Sequence, residues 1–245
     1  MAFVVFALVV AAGCVRLGFW QLHRLGERRA LNAMLAARLG GAVVPVRDIA
    51  RDSSSAAFRR VTASGTYDFA NEFALASRTR QGSPGVNIIT PLRIAGTDTA
   101  VLVNRGWVYA PDAMTVDLPR WREADAATVT GYVTAMEPTA ANAVSATDAR
   151  VLRHLYRDSL AARLPYPIVP FLLVATDTSR ATAAGDSTPA RLLAPILDEG
   201  PHLGYAIQWF AFALIGVIGA VVGVRADRRG FWSRRATAIA PRAQR

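Results

Sequence analysis

Two apolar segments almost free of charge, one at each end of the 245-residue chain, constrain this sequence more than any other feature. The first covers residues 2–20 and carries one charge, Arg16, near its end. At ~1.5 Å rise per residue, about 19 residues cover the ~30 Å hydrocarbon core of a bilayer. Arg16 can extend its guanidinium toward the interface, and Trp20 stands where an aromatic anchor belongs. The second covers 203–224 with no charged residue, and Tyr205 and Trp209 mark its first interface. The pattern predicts an α+β membrane protein. A transmembrane helix at 2–22 continues as helix to 39, and 40–200 form an extracytoplasmic, mainly antiparallel β domain with one or two packed helices. A second transmembrane helix at 203–224 leads into a basic tail at 225–245.

Charge orients this arrangement. Arg225, Arg228, Arg229, Arg234 and Arg235 follow the second span, opposed only by Asp227, while Asp198 and Glu199 precede it. Positive charge stays cytoplasmic, so both termini lie inside and the central domain outside. Arg24, Arg28 and Arg29 after the first span pull the other way, but the asymmetry across the second is larger. The net charge of +10 comes from 28 arginines without a lysine. They lack the basic-and-aromatic pattern of a nucleic-acid surface, so anionic lipid is the expected counter-charge. The chain is therefore expected to be a plasma (inner) membrane protein whose partner is the lipid bilayer and not nucleic acid. Ala11-Ala12-Gly13-Cys14 resembles a lipoprotein signal, but no basic stretch precedes it. Cys14 reads instead as a small apolar residue of the helix, and as the sole cysteine it permits no internal disulfide.

Between the spans the chain reads as one domain. Leu31, Leu35 and Leu39 share a helical stripe, and Gly40-Gly41 stops it. Strands are expected at 58–67, 72–79, 86–93, 100–108, 128–136 and 168–175, with Val61, Ala63, Gly65 and Tyr67 on one face and a turn at 95–98. Thr147 or Asp148 can cap a short helix reaching Leu164. Consecutive strands with short turns predict an antiparallel sheet or small barrel.

Enzyme motifs are missing: there is no GxGxxG, P-loop, HExxH, GxSxG or CxxC, and the expectation is that the chain is not an enzyme. Asp117, Glu123 and Asp125 fall in a loop, where solvated charge is the default reading. Of three histidines, His154 lies in a basic helical stretch as a surface residue. His23 follows the first span and His202 opens the second. A haem suits such an interface, since its iron takes an imidazole, its ring apolar walls and its propionates arginines. Helical spacing from His202 places Tyr205, Trp209, Phe212 and Gly216 on one stripe. The same stripe could equally pack on the first helix, with His202 capping the end. Gly219 and Gly223 form a GxxxG that hints at close helix packing.

Four blocks of sequence carry a family resemblance. Leu17-Gly18-Phe19-Trp20-Gln21-Leu22-His23-Arg24, with Arg28, resembles the first-helix signature of the Surfeit locus protein 1 family. Asn104-Arg105-Gly106-Trp107-Val108 resembles its central strand motif. Gly65, Tyr67 and Gly85 through Pro91-Leu92 stand in order between them. Gly200-Pro201-His202-Leu203-Gly204-Tyr205-Ala206-Ile207-Gln208-Trp209-Phe210 is similar to its second-helix motif. Val86 departs from the pattern, which commonly has an aromatic there, and His23 occupies a variable position.

The resemblance implies a role in cytochrome c oxidase assembly, at the step that places haem a in the catalytic subunit. It implies as partners that subunit and haem a synthase, and His202 as the matched haem-iron ligand; the helical stripe from His202 adds Tyr205 and Trp209 as the expected wall of the haem site. Trp20, Gln21, Arg24, Asn104, Arg105, Gly106, Trp107 and Gln208 are motif residues expected to be structural. The alternative is a membrane scaffold that holds an oxidase intermediate without touching haem.

Overall fold

The computed structural model describes residues 2–49, 53–138, 150–176 and 188–239. These form two compact units, 1–34 with 197–245 and 35–196. The Thr147 or Asp148 cap lies outside the described residues.

The first unit is a helix pair. α1 (Ala2–Leu39) is one unbroken helix, and its last turn belongs to the second unit. The other helix, His202–Ile239, is α4 in chain order. Both are long and apolar enough to cross a membrane, and most of each apolar window is exposed, unlike the core helix of a globular domain. The pair runs antiparallel: Gly223 faces Phe3, Gly216 faces Ala11, and the Phe19 and Phe210 rings meet edge to face at 5.4 Å.

What α1 buries is selected by size. Within 2–34 its covered positions are Ala11, Cys14, Gly18, Gln21 and Leu25, alternating steps of three and four residues. On α4, over 202–226, the buried positions are Ala206, Ala213 and Ala220, one heptad apart. A small-residue seam lets two backbones approach where surrounding lipid would remove the hydrophobic drive to associate. The stripe expected on α4 divides accordingly. Trp209 packs on Ala11, Cys14 and Ala213, and Gly216 faces Ala11, whereas Tyr205 and Phe212 are half exposed on the flank. A Cβ at Gly219 of the GxxxG would meet nothing within 4 Å, while one at Gly223 would meet the Phe3 ring at 3.6 Å.

The second unit is a barrel. Its elements are β1 (Val44–Pro45), α2 (Ser53–Ala56), β2 (Arg60–Tyr67), β3 (Phe73–Arg80), β4 (Ser83–Ile94) and β5 (Ala100–Tyr109). These are followed by β6 (Ala126–Ala135), β7 (Val151–Leu152), α3 (Arg157–Ala161) and β8 (Ile168–Ala175). Strands pair in the cycle β2–β4–β5–β8–β6 and back to β2. Within it β5–β8 is parallel and the other pairs are antiparallel. β2 and β3 lie in succession along β4, broken at Phe69–Asn71, and so act as one interrupted strand. That order is an OB-type Greek-key barrel. The interior takes alternate residues: Val61, Ala63 and Tyr67 from β2, Val101 and Val103 from β5, and Phe171 and Leu173 from β8.

Sequence periodicity located the six main strands, and the sheet is mainly antiparallel as expected: besides β5–β8, only the short β1 and β7 pair in parallel, with β2 and β3, among the described residues. One expectation is corrected. The helix expected up to Leu164 shrinks to the five residues of α3, because Val151 and Leu152 are taken by β3. His154 therefore sits in an exposed bend, stacked on Tyr156, rather than in a helix.

Candidate functional site

His202 is the first residue of α4, and its half-buried ring has a fixed neighbour. Its Nδ1 lies 2.9 Å from Gln21 Oε1. An amide oxygen accepts, so this contact is a hydrogen bond in the tautomer whose Nδ1 carries the proton. In the neutral ring Nε2 is then the nitrogen with a free lone pair. Gln21 is 9% exposed, the next covered position after Gly18 on the α1 seam, so its amide is held in place.

Gly200 shapes the other side of the ring. Its φ is +67°, a conformation glycine adopts without strain. A Cβ there would stand 3.6 Å from His202 Cδ2 and 3.7 Å from Nε2, so glycine leaves that flank of the imidazole open. The flank faces a groove of about 370 Å³ lined by Arg24, Glu27, Arg28, Asp198 and Glu199. Arg24 pairs with Glu27 at 2.5 Å, and Arg28 Nε donates to the Asp198 carbonyl at 3.1 Å. Arg29 grips Glu199 through two bonds of 2.8 Å, which hold that carboxyl below its usual range. These pairs tie the segment before α4 to α1.

The other candidates are dispersed. Tyr205 is 47% exposed, Trp20 52%, and Gln208 is exposed as well, so none of the three closes over Nε2 as a wall. His23 is exposed, 3.3 Å from Glu27, and with Arg16, Leu17, Phe19 and Trp20 lines a different cavity of about 680 Å³. Among the described residues no three His, Cys, Asp or Glu side chains gather as a metal cluster. The donor set at the head of α4 is thus one oriented imidazole with arginines beside it.

The central motif builds a second constellation, inside the barrel unit. Ile88 pairs with Gly106 and Ile89 with Asn104, so Arg105 is the extra residue of a β-bulge. Asn104 Oδ1 accepts from the Gly106 N–H, and Gly106 has φ +137°. A Cβ at Gly106 would meet the Ala190 carbonyl at 2.4 Å, where the chain bridges to Trp107. Trp107 is 8% exposed and lies over Gly85. The bulge turns Arg105 into the end of the barrel. There it is fully buried, 3.7 Å from Glu72 and 3.5 Å from Glu123, with Tyr67 and Phe69 against its guanidinium. Arg122 also pairs with Glu72 at 3.0 Å, and Arg191 with Glu123 at 2.6 Å. Burial lowers the Arg105 pKa, opposed by Glu123, and burial pushes Tyr67 up to about 12.

Sequence reasoning read Glu123 as solvated, and the structure corrects this: it is mostly buried between two arginines. No local signal marked Glu72 as its counterpart. A usable signal did exist for Gln21, since it continues the 7, 11, 14, 18 spacing of small residues.

These features define a class: an α+β protein whose closed barrel lies, along the chain, between two helices of membrane-crossing length. The profile described as the SURF1 family matches residues 8–214, and the chain belongs to that family. It is 26% identical over 227 residues to a SURF1-like protein of Drosophila melanogaster, covering 85% of this chain and 73% of that one. An uncharacterised SURF1-like protein of Mycobacterium bovis is 27% identical over 222 residues, 86% of this chain and 79% of its own. The Surfeit locus protein 1 of Takifugu rubripes is 28% identical over 118 residues, 42% of this chain and 49% of its own.

Proposed function

We propose that this chain is an assembly factor for haem-copper cytochrome c oxidase that holds haem a on its way to the catalytic subunit. Both helices span the plasma membrane, the termini are cytoplasmic, and the barrel lies outside, where it meets the catalytic subunit and haem a synthase. Haem a is cargo here, and the chain is not an enzyme. The observation that carries the reading is the His202 ring: Nδ1 bonded to Gln21, Nε2 open beside Gly200. Haem-binding imidazoles need one nitrogen for iron and commonly use the other to donate to a fixed acceptor. Arg24 and Arg28 in the same groove suit the propionates, and the exposed apolar residues Leu203, Tyr205 and Ile207 suit the ring edge.

Purification of the full chain from cells making haem a tests this. A Soret band is expected, lost in His202→Ala and His202→Gln at unchanged abundance, with oxidase activity falling in step. An unchanged spectrum in these variants would remove His202 as the ligand. Haem loss with full oxidase assembly would leave the chain as a scaffold.

A further inference from the structure

Gln21 is a polar side chain in a seam otherwise built from Ala, Cys, Gly and Leu, and packing gives no reason for an amide there. Resting on the reading of His202 as ligand, we propose that Gln21 is its positioning residue. By accepting the Nδ1 proton it fixes the ring's tautomer and rotation and leaves Nε2 as the coordinating nitrogen.

Three observations support this. First, the 2.9 Å contact joins residues 181 positions apart, each set by its own helix, so the geometry is a property of the pair. Second, free imidazole favours the opposite tautomer, with the proton on Nε2, so an acceptor at Nδ1 is what frees Nε2 for a metal. Third, the side of the ring that this tautomer opens is the side from which Gly200 withholds a Cβ. Gln21 acts through His202 and need not touch the iron. An amide oxygen also leaves the ring formally neutral, where a carboxylate would push it toward imidazolate and raise its donor strength.

The test uses full-length protein in lipid nanodiscs with ¹⁵N-labelled histidine, first without haem. His202 signals are assigned by their loss in His202→Gln. Wild type should show Nδ1–H, and Gln21→Leu, which keeps the volume and removes the acceptor, should shift the ring toward Nε2–H. Haem a is then added. Gln21→Leu should bind about 10–100-fold more weakly than wild type. Gln21→Glu should keep the tautomer and lower the haem midpoint potential, a change that mere filling of the seam would not cause. Nε2–H in wild type, or equal affinity and potential in all three proteins, overturns the proposal. If no form binds haem a while the tautomer follows Gln21 as expected, the positioning role stands and the haem reading of His202 falls.

Discussion

Arg105 and Glu72 are both wholly buried and face each other at 3.7 Å at the end of the barrel, within a cluster of three arginines and two glutamates. The count decides which partner the fold can least spare. Removing Arg105 leaves two matched pairs, Glu72 with Arg122 and Glu123 with Arg191. Removing the Glu72 charge leaves Arg105, Arg122 and Arg191 around a single carboxylate.

Glu72→Gln should therefore destabilise the full chain by about 3–5 kcal/mol, as an uncompensated buried charge does. Arg105→Met should cost less, roughly 1–3 kcal/mol, mainly because the Trp121 carbonyl loses its donor. For a chain of this size each kcal/mol lowers Tm by about 2–4 °C. Thermal melts in detergent would settle the order, and a larger loss in Arg105→Met would refute the charge count.

Barrel closure rests on backbone contact at two glycines. A Cβ at Gly65 would lie 1.9 Å from the Arg93 carbonyl, and one at Gly131 the same distance from that of Val174. Neither carbonyl can swing away without breaking its strand pair. Gly65→Ala and Gly131→Ala should each cost at least the ~1–3 kcal/mol of overpacking, and leave the barrel open to limited proteolysis. Wild-type resistance in both would show that the strands separate here without penalty.

Trp107 covers Gly85 and lies within reach of the Arg78 carbonyl through Nε1, at 3.4 Å. Trp107→Ala should cost about 3–5 kcal/mol, and the protein should be lost from membranes by degradation. Normal abundance with failed oxidase assembly would make Trp107 a contact residue instead.

How much of this was legible in the sequence follows from which physics each feature uses. β8 could be read to the residue, because alternation along a barrel strand is a local pattern. The closure of β2 on β4 and the parallel β5–β8 pair depend on contacts remote in sequence, which no local period encodes. The ionic cluster was hidden for the same reason: Glu72, Arg105, Glu123 and Arg191 sit in four separate segments. On α4 helical spacing from His202 favoured Tyr205, Trp209, Phe212 and Gly216; Trp209 and Gly216 do face α1, but Tyr205 and Phe212 are half exposed and the buried positions are alanines. A helix apolar all round marks its partner face by side-chain size.

The arginines after Val224 set the expected topology. An insertion of a reporter active only outside the cytoplasm at Gly96, in the β4–β5 turn, should be active, and a fusion at Gln244 should be silent. Activity from Gln244 would invert the chain and move His202 to the opposite membrane face.

The small-residue seam makes a prediction that uses the chain's only cysteine. Cys14 is buried in one cluster with Ala11 and Ala213, while Leu214, the next residue on α4, is 60% exposed. A disulfide forms only when two Cα atoms come within about 7 Å and their Cβ atoms point toward each other. Ala213→Cys should therefore cross-link to Cys14 within one chain under a membrane-permeable oxidant, and Leu214→Cys should not. Cleavage at a protease site inserted in the β4–β5 turn would show it: the two fragments of the oxidised Ala213→Cys protein should migrate together and separate on reduction. Cross-linking at 214 but not at 213 would mean that α4 is rotated on α1 by one residue, about 100°. Such a rotation would carry His202 away from Gln21 as well, so this experiment also tests the register on which the oriented imidazole depends.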